Sequence, residues 1–145
     1  MRRSFGMGWN DDLIEDYRAN GKPTKGPFVG RQVLLLTTKG RKTGTERTNP
    51  LAYTKDGEDI VVVASKGGSP KSPDWYFNLT AHPTVTVELG GDRFEANAKV
   101  ATPESERERL YAAHAKVHPG FLDYVTKTTR KIPVVKLERI VSQAS

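Results

Sequence analysis

The residues best equipped for chemistry lie in one short stretch, TTKGRKTGTERTNPL, which runs from Thr37 to Leu51. It places four cationic side chains and two glycines directly after an apolar run, and Glu46 is its one carboxylate. The glycines at 40 and 44 let the backbone approach a ligand closely and expose consecutive N–H groups. Cationic and hydroxyl donors accompany them: Arg41, Lys42, Arg47, Thr43, Thr45 and Thr48. We therefore predict a cradle for a phosphate or carboxylate, although the spacing does not fit a Walker A loop.

A second stretch, ASKGGSPKSPDWYFNL, has a similar layout after another apolar run. Lys66 precedes a glycine pair, Lys71 follows it, and Ser72-Pro73 predicts a helix start. A cation, a glycine pair and a helix start together favour anion binding. The simpler interpretation is a tight glycine turn with Trp75 packed in the core, and for Trp75 itself we favour core packing.

Catalytic groups of the common nucleophilic and metal types are not apparent in the sequence. The chain has no cysteine, which excludes thiolate catalysis, and it has no G-x-S-x-G motif. His114 and His118 share one helix face at i, i+4 spacing, but the glutamate of H-E-x-x-H is missing. We therefore predict no metal site and interpret both residues as partly exposed histidines near a helix end.

The composition is typical of a globular protein. The 145 residues are 36% hydrophobic and 28% charged, which fits a single domain over 1–145, with an N-terminal helix and loop in 1–30. The net charge of +6 favours an anionic partner, or else a solvated basic face. No apolar run approaches the roughly 20 residues of a membrane span, and no apolar segment follows Arg2 and Arg3. A cytoplasmic location is the expectation.

Strand patterns dominate the sequence. The apolar or alternating runs are RQVLLLTT, TNPLAYT, DIVVVAS, TVTVEL, RFEANAKVA and IPVVKLERI. Asp56-Gly57 and the segment GGD at 90–92 each predict a hairpin. Short antiparallel strands commonly close into a small barrel, which removes their free edges. The predicted fold is therefore α+β and mainly antiparallel, a small barrel with short flanking helices.

Short helices are predicted at 9–21, 72–83 and 102–118, with a weaker one at 121–130. Asn10 is the predicted N-cap of the first helix, and Gly21 is predicted at its C′ position. In the helix predicted over 102–118, Thr102 is the predicted N-cap and Pro103 the first helical residue.

Four segments together resemble the deazaflavin-dependent nitroreductase family of actinobacteria. They are LLLTTKGRKTGTERTNPLAY, VVVASKGGSPKSPDWYFNL, AHPTVTVEL and KTTRKIPVVKLE, in this order, and the likeness covers about residues 9–139. The family is similar in fold to the flavin-binding split β-barrels, so the resemblance implies a split β-barrel. Family members use coenzyme F420, a deazaflavin whose phosphodiester-linked tail carries several glutamates. Such a tail is strongly anionic and matches the cationic turn.

The resemblance also implies roles for individual residues. Arg41, Lys42 and Thr43 would hold the phosphate, with Arg47, Asn49 and Pro50 bordering it and the deazaflavin. The ring would be lined by Val63, Ala64, Ser65 and Lys66. The pocket would be closed by Trp75, Tyr76 and Asn78. Phe121 and Tyr124 would form an aromatic substrate wall, and Tyr124 and His118 are candidate proton donors.

The implied reaction is hydride transfer from reduced F420 to a quinone or to an activated alkene such as an unsaturated lactone, since the cofactor itself carries the chemistry. The nitroimidazole-reducing members carry several tyrosines where this chain keeps Tyr124 alone, with His118 and Phe121 at the other matching positions. Nitro compounds are therefore a less favoured acceptor.

Other functions stay open at this level. The protein could hold F420 without turnover, or bind nucleic acid as a basic small barrel. The second is disfavoured, because aromatic residues do not accompany the cations on the predicted strands. FMN is disfavoured because it carries one phosphate and no glutamate tail. The acidic first helix argues for at most weak peripheral membrane association. The sequence leaves open whether the protein is a monomer or a homodimer.

Overall fold

The structure, a computed structural model, describes residues 8–26, 28–65, 72–119 and 132–140. Within these ranges the helices are α1 (Gly8–Asn20), α2 (Asp74–Ala81) and α3 (Glu104–Val117). The strands are β1 (Val33–Lys39), β2 (Glu46–Ala52), β3 (Thr54–Asp56), β4 (Asp59–Val63), β5 (Thr84–Leu89), β6 (Asp92–Val100) and β7 (Val134–Arg139). The weaker helix predicted over 121–130 lies outside the described residues.

The strands form one antiparallel sheet in the order β2-β1-β5-β6-β7-β4-β3. Tyr53 alone separates β2 from β3 along the chain, yet these two strands occupy opposite ends of that order. The sheet must therefore curl until its two edges meet, and β2 also contacts β4. This curled sheet is a split β-barrel, and both predicted hairpins, β3–β4 and β5–β6, are confirmed within it.

The apolar runs follow from which faces of each strand are covered. In β1, Leu34 and Leu36 belong to the central cluster inside the curled sheet, whereas Val33 and Leu35 pack against α1. A strand buried on both faces needs an unbroken apolar run, as β1 has. Residues of β4 alternate in the same way between the central cluster and α3. Two short helices on the outer faces therefore complete the burial of β1 and β4.

Helix starts differ from the prediction at two places. The first helix begins at Gly8, so Asn10 lies inside it and is not its N-cap. The third begins at Glu104, with an extended Pro103 as N-cap and no side-chain cap hydrogen bond, so Thr102 is not the cap. Glutamates in the first turn of α3 favour its start through the helix dipole. The prediction for Gly21 is confirmed: its φ is +73°, and its N–H donates to the Tyr17 carbonyl at 2.7 Å. Among the described residues, no helix combines the length and hydrophobicity needed to cross a bilayer.

Candidate functional site

A groove of about 700 Å³ opens where α1, the turn after β1, the start of β2 and the first half of α2 meet. This volume lies within the usual range of small-molecule and cofactor pockets. Several of the site residues predicted from the sequence line this groove: Arg41, Lys42, Thr43, Arg47 and Asn49, with Trp75 and Asn78 from α2. The fold therefore brings the cationic stretch and the start of α2, more than twenty residues apart, to one site.

The turn over residues 40–45 is closed by its own backbone. The Gly40 N–H donates to the Thr45 carbonyl at 2.8 Å, and the Gly44 N–H donates to the Gly40 carbonyl at 2.8 Å. Gly44 has a φ of +74°, which favours glycine. The glycine amides are thus occupied inside the turn, which corrects the prediction that they face a ligand. Within the turn, the amides that bond to no described residue are those of Lys42 and Thr43, and they are consecutive.

Cationic side chains lie exposed around the groove. Arg41, Lys42 and Arg47 form no ion pair with any residue in the described part of the chain. The guanidinium carbon of Arg41 lies 5.2 Å from the centre of the Phe77 ring, a cation–π contact that keeps the positive charge. The groove is also lined by the carboxylates of Asp11, Glu46 and Asp74. Because no described residue pairs with the three cations, their charges are available to an anionic ligand.

Asn78 connects α2 to the turn. Its side chain is 5% exposed, and its Oδ1 accepts a hydrogen bond from the Arg41 backbone N–H at 3.1 Å. Its Nδ2 donates to Thr38 Oγ1 on β1 at 3.3 Å. The residue therefore touches both the groove and the backbone that shapes the groove.

Trp75 is both a core residue and a groove residue. It is 6% exposed and belongs to the central cluster, as favoured from the sequence, yet it also lines the groove. Tyr76 packs partly buried against the same cluster, with its ring centre 5.5 Å from that of Phe77, and it does not line the groove. The indole is thus held rigidly by the core while one part of it meets the cavity.

Helix α1 forms one wall of the groove, through Asp11, Ile14 and Arg18. Arg18 donates two hydrogen bonds to the Glu88 carboxylate of β5, at 2.9 and 2.8 Å, and these hydrogen bonds lower the pKa of Glu88. Ile14 packs against β1. The wall is therefore anchored to the sheet. Sequence reasoning missed these residues: the apolar stripe of α1 predicts that the helix packs on something, but no local pattern tells which end of the sheet it covers.

Other nominated residues lie outside the groove lining. Pro50 is in β2 opposite Leu35, and Val63, Ala64 and Ser65 are buried at the end of β4. Their predicted roles beside the cofactor ring stay predictions. Lys66, Phe121 and Tyr124 fall outside the described residues.

His114 on α3 and His118 at the C-cap of α3 contact Thr54 and Tyr53, and neither histidine lines the groove. His114 and His118 are 0% and 2% exposed, so the interpretation as partly exposed histidines is wrong, because α3 turns this face onto the sheet. His114 Nδ1 lies 3.1 Å from Thr54 Oγ1, and His118 Nε2 donates to the Tyr53 carbonyl at 2.9 Å. The ring centres are 4.9 Å apart.

Burial of His114 lowers its pKa to about 3, with a smaller effect from His118, so His114 is neutral at physiological pH. The suggested role of His118 as a proton donor stays a prediction, and the geometry does not bring its ring to the groove. No group of three metal-ligating side chains occurs among the described residues.

Comparison with known proteins adds a family to this geometry. The sequence profile of the F420H(2)-dependent quinone reductase family matches residues 11–139, nearly the whole chain. The F420H(2)-dependent quinone reductase Rv1261c of Mycobacterium tuberculosis is 43% identical over 108 residues, which are 73% of this chain and 72% of that protein.

Solved structures agree with this result. The structure of an F420-H2 dependent reductase, FDR-A, superposes with a TM-score of 0.68 at 39% identity and covers 74% of this chain and 95% of its own. A second structure with the same TM-score and identity, described as a domain-swapped dimer, covers 74% of this chain and 81% of its own.

Proposed function

This chain belongs to the F420H2-dependent quinone reductase family, and we propose that it transfers hydride from F420H2 to a quinone. The observation that carries the proposal is the groove beside the turn at 40–45, with its exposed cations and two consecutive turn amides. A cofactor whose tail carries a phosphodiester and several carboxylates needs such a donor set. The cofactor is thus bound through its tail, at a site that the fold builds from distant segments.

The hydrogen-bond donors of the groove suit an anionic cofactor tail. Consecutive amides of Lys42 and Thr43 suit the oxygens of one phosphate, because they are adjacent in the turn and neither donates to a described residue. Lys42 and Arg47 add charge-assisted hydrogen bonds, and the second can bind a phosphate or carboxylate with two parallel donors. Trp75 offers an apolar face that the core holds in place.

In the reaction, the residues of this chain bind and orient. When bound, F420H2 supplies the hydride, and a proton from solvent completes the reduction of a quinone to a hydroquinone. The cationic turn would hold the tail and so position the cofactor for the acceptor, because holding two reactants together in a productive arrangement accounts for much of the rate enhancement of such enzymes. A catalytic acid–base set of the protein's own is not required by this reaction.

The test is a steady-state assay that follows F420H2 oxidation by its absorbance. We expect turnover with a soluble benzoquinone or naphthoquinone, and slower or no turnover with an unsaturated lactone or a nitroaromatic compound. Preference for one of the latter would reassign the acceptor. Tight F420 binding without turnover on any acceptor would overturn the enzymatic proposal in favour of a cofactor carrier.

A matched pair of arginine variants checks the site in the same assay. Arg47→Ala removes a groove cation, whereas Arg31→Ala removes an exposed cation that does not line the groove. We expect the KM for F420H2 to rise roughly tenfold or more in the first variant and to stay unchanged in the second. Equal KM values in both variants would remove the groove from the proposal.

A further inference from the structure

We propose that Asn78 acts as a positioning residue, which sets the shape of the cationic turn through the backbone of Arg41. The proposal rests on the function assigned above, because the turn is the part of the protein that holds the cofactor tail. It differs from the role implied by family resemblance, in which Asn78 closes the cofactor pocket. Thr38, which does not line the groove, has a positioning role as well, because it hydrogen-bonds to the Asn78 side chain.

The geometry joins three elements through one buried amide. Asn78 Oδ1 accepts from the Arg41 N–H at 3.1 Å, and Asn78 Nδ2 donates to Thr38 Oγ1 at 3.3 Å. Thr38 is 1% exposed, and Asn78 is 5% exposed. A backbone N–H can only donate, so the orientation of the amide is fixed with Oδ1 towards Arg41. Helix α2, itself held by Trp75 and Leu79 in the core, thus holds the second residue of the turn through a hydrogen bond.

The position of this contact determines its effect. Arg41 directly precedes Lys42 and Thr43, whose amides donate to no described residue, and its own side chain lies against Phe77. If the Arg41 N–H loses its acceptor, a donor beside the groove must find water or another partner, and the turn can rotate. The binding site would then lose its preorganised shape while every charge is retained.

Thr38→Val tests the positioning role of Asn78 without changing a residue that lines the groove, and Thr54→Val is its matched control. Both substitutions remove one buried threonine hydroxyl that hydrogen-bonds to a side chain, the control at His114 on the other side of the sheet. We expect similar decreases in melting temperature. Only Thr38→Val should weaken F420 binding, by about 3–10-fold. Equal affinity in the two variants would overturn the proposal.

A double-mutant cycle separates positioning from direct contact. If Thr38 acts through Asn78, the effect of Thr38→Val on F420 affinity disappears in the Asn78→Ala background. Additive losses would show that the two residues act independently, and this outcome contradicts the proposal. Wild-type protein is titrated in the same series, so a failure of F420 binding as such is recognised there and counts against the proposed function.

Amide hydrogen exchange at Arg41, measured without ligand, keeps the inference testable in either case. Asn78→Ala should raise the exchange rate of the Arg41 N–H about tenfold or more, whereas Asn78→Asp, which retains an acceptor oxygen, should largely restore protection. Unchanged exchange in Asn78→Ala would overturn the positioning role even if F420 binding were lost.

Discussion

The groove at the cationic turn and the histidine pair on α3 differ in how their polar side chains are exposed and bonded. At the groove, Arg41, Lys42 and Arg47 are exposed and form no ion pair with a described residue. Under α3, His114 and His118 are buried and hydrogen-bonded to β3 and to the residue before it. Exposed charge costs little until an anion arrives, whereas a buried histidine is tolerated only neutral and bonded. Burial and bonding, more than residue type, separate a binding site from a structural contact.

The largest expected effect is a loss of stability when one of the two buried histidines is replaced. His114→Ala removes a fully buried ring and its bond to Thr54, and should lower the free energy of unfolding by about 2–4 kcal/mol. F420 affinity at a temperature where the variant is folded should not change. His82→Ala, at the exposed end of α2, is the control and should cost less than about 0.5 kcal/mol. Urea unfolding gives the result, and equal losses would contradict the structural role of His114.

On the groove side, Lys42→Ala should weaken F420 binding by about 1–3 kcal/mol and leave stability nearly unchanged, because a charge-assisted contact is lost from an exposed site. Arg41→Ala should have an effect of the same order. Lys55→Ala is the control, since this exposed lysine lies on β3 outside the groove. Raising the salt concentration should weaken wild-type binding more steeply than binding to Lys42→Ala. Affinities that do not change in either groove variant would remove the turn as the tail site.

The pH dependence of stability tests the histidine side of the same comparison, because His114 is buried. The pKa of His114 is about 3 in the folded protein against a usual value of 6.5. Between these values the unfolded chain binds a proton that the folded protein does not. The contribution of neutral His114 to the free energy of unfolding is therefore fully present above about pH 6.5. Below that pH it falls by about 1.4 kcal/mol per pH unit, until the folded protein also binds the proton.

His114→Gln isolates this contribution. The difference in unfolding free energy between wild type and variant should shrink as the pH is lowered from 7 to 5, since only the wild type carries the titrating ring. Parallel pH profiles for the two proteins would show that His114 is not buried neutral.

The smallest effect is expected at a third cluster, where charges are exposed but paired. Arg109 binds Asp56 at 3.1 and 3.2 Å and also Glu106, and it lowers the pKa of both carboxyl groups. Its side chain is 53% exposed. Arg109→Ala should therefore lower stability less than His114→Ala does, and less at high salt than at low salt, and it should not affect F420 binding. A loss as large as that of His114→Ala would mean that pairing on this surface matters as much as burial.

Local patterns in the sequence predicted much of the fold. The apolar run of β1, the hairpin at Asp56-Gly57 and the helix bounded by Pro73 and Pro83 are encoded by neighbouring residues, and all three are confirmed. The cationic turn was also visible, because glycines and cations are adjacent in the chain.

Long-range contacts could not be predicted in this way. The bond from Asn78 to Arg41 spans 37 residues, and the placement of α1 at the groove depends on how the sheet curls. The i, i+4 spacing of His114 and His118 showed that they share a face, but not that this face packs against the sheet. The burial of these histidines was therefore predicted wrongly.

The most direct test of the account is a titration of the purified protein with F420 and, in parallel, with FMN, followed by ligand fluorescence and tryptophan fluorescence. The groove beside the cationic turn predicts saturable binding of F420, much weaker binding of FMN, and loss of the difference in Lys42→Ala. Equal affinity for both ligands, or no binding of F420 at all, would contradict the claim that this groove is built for an anionic deazaflavin tail.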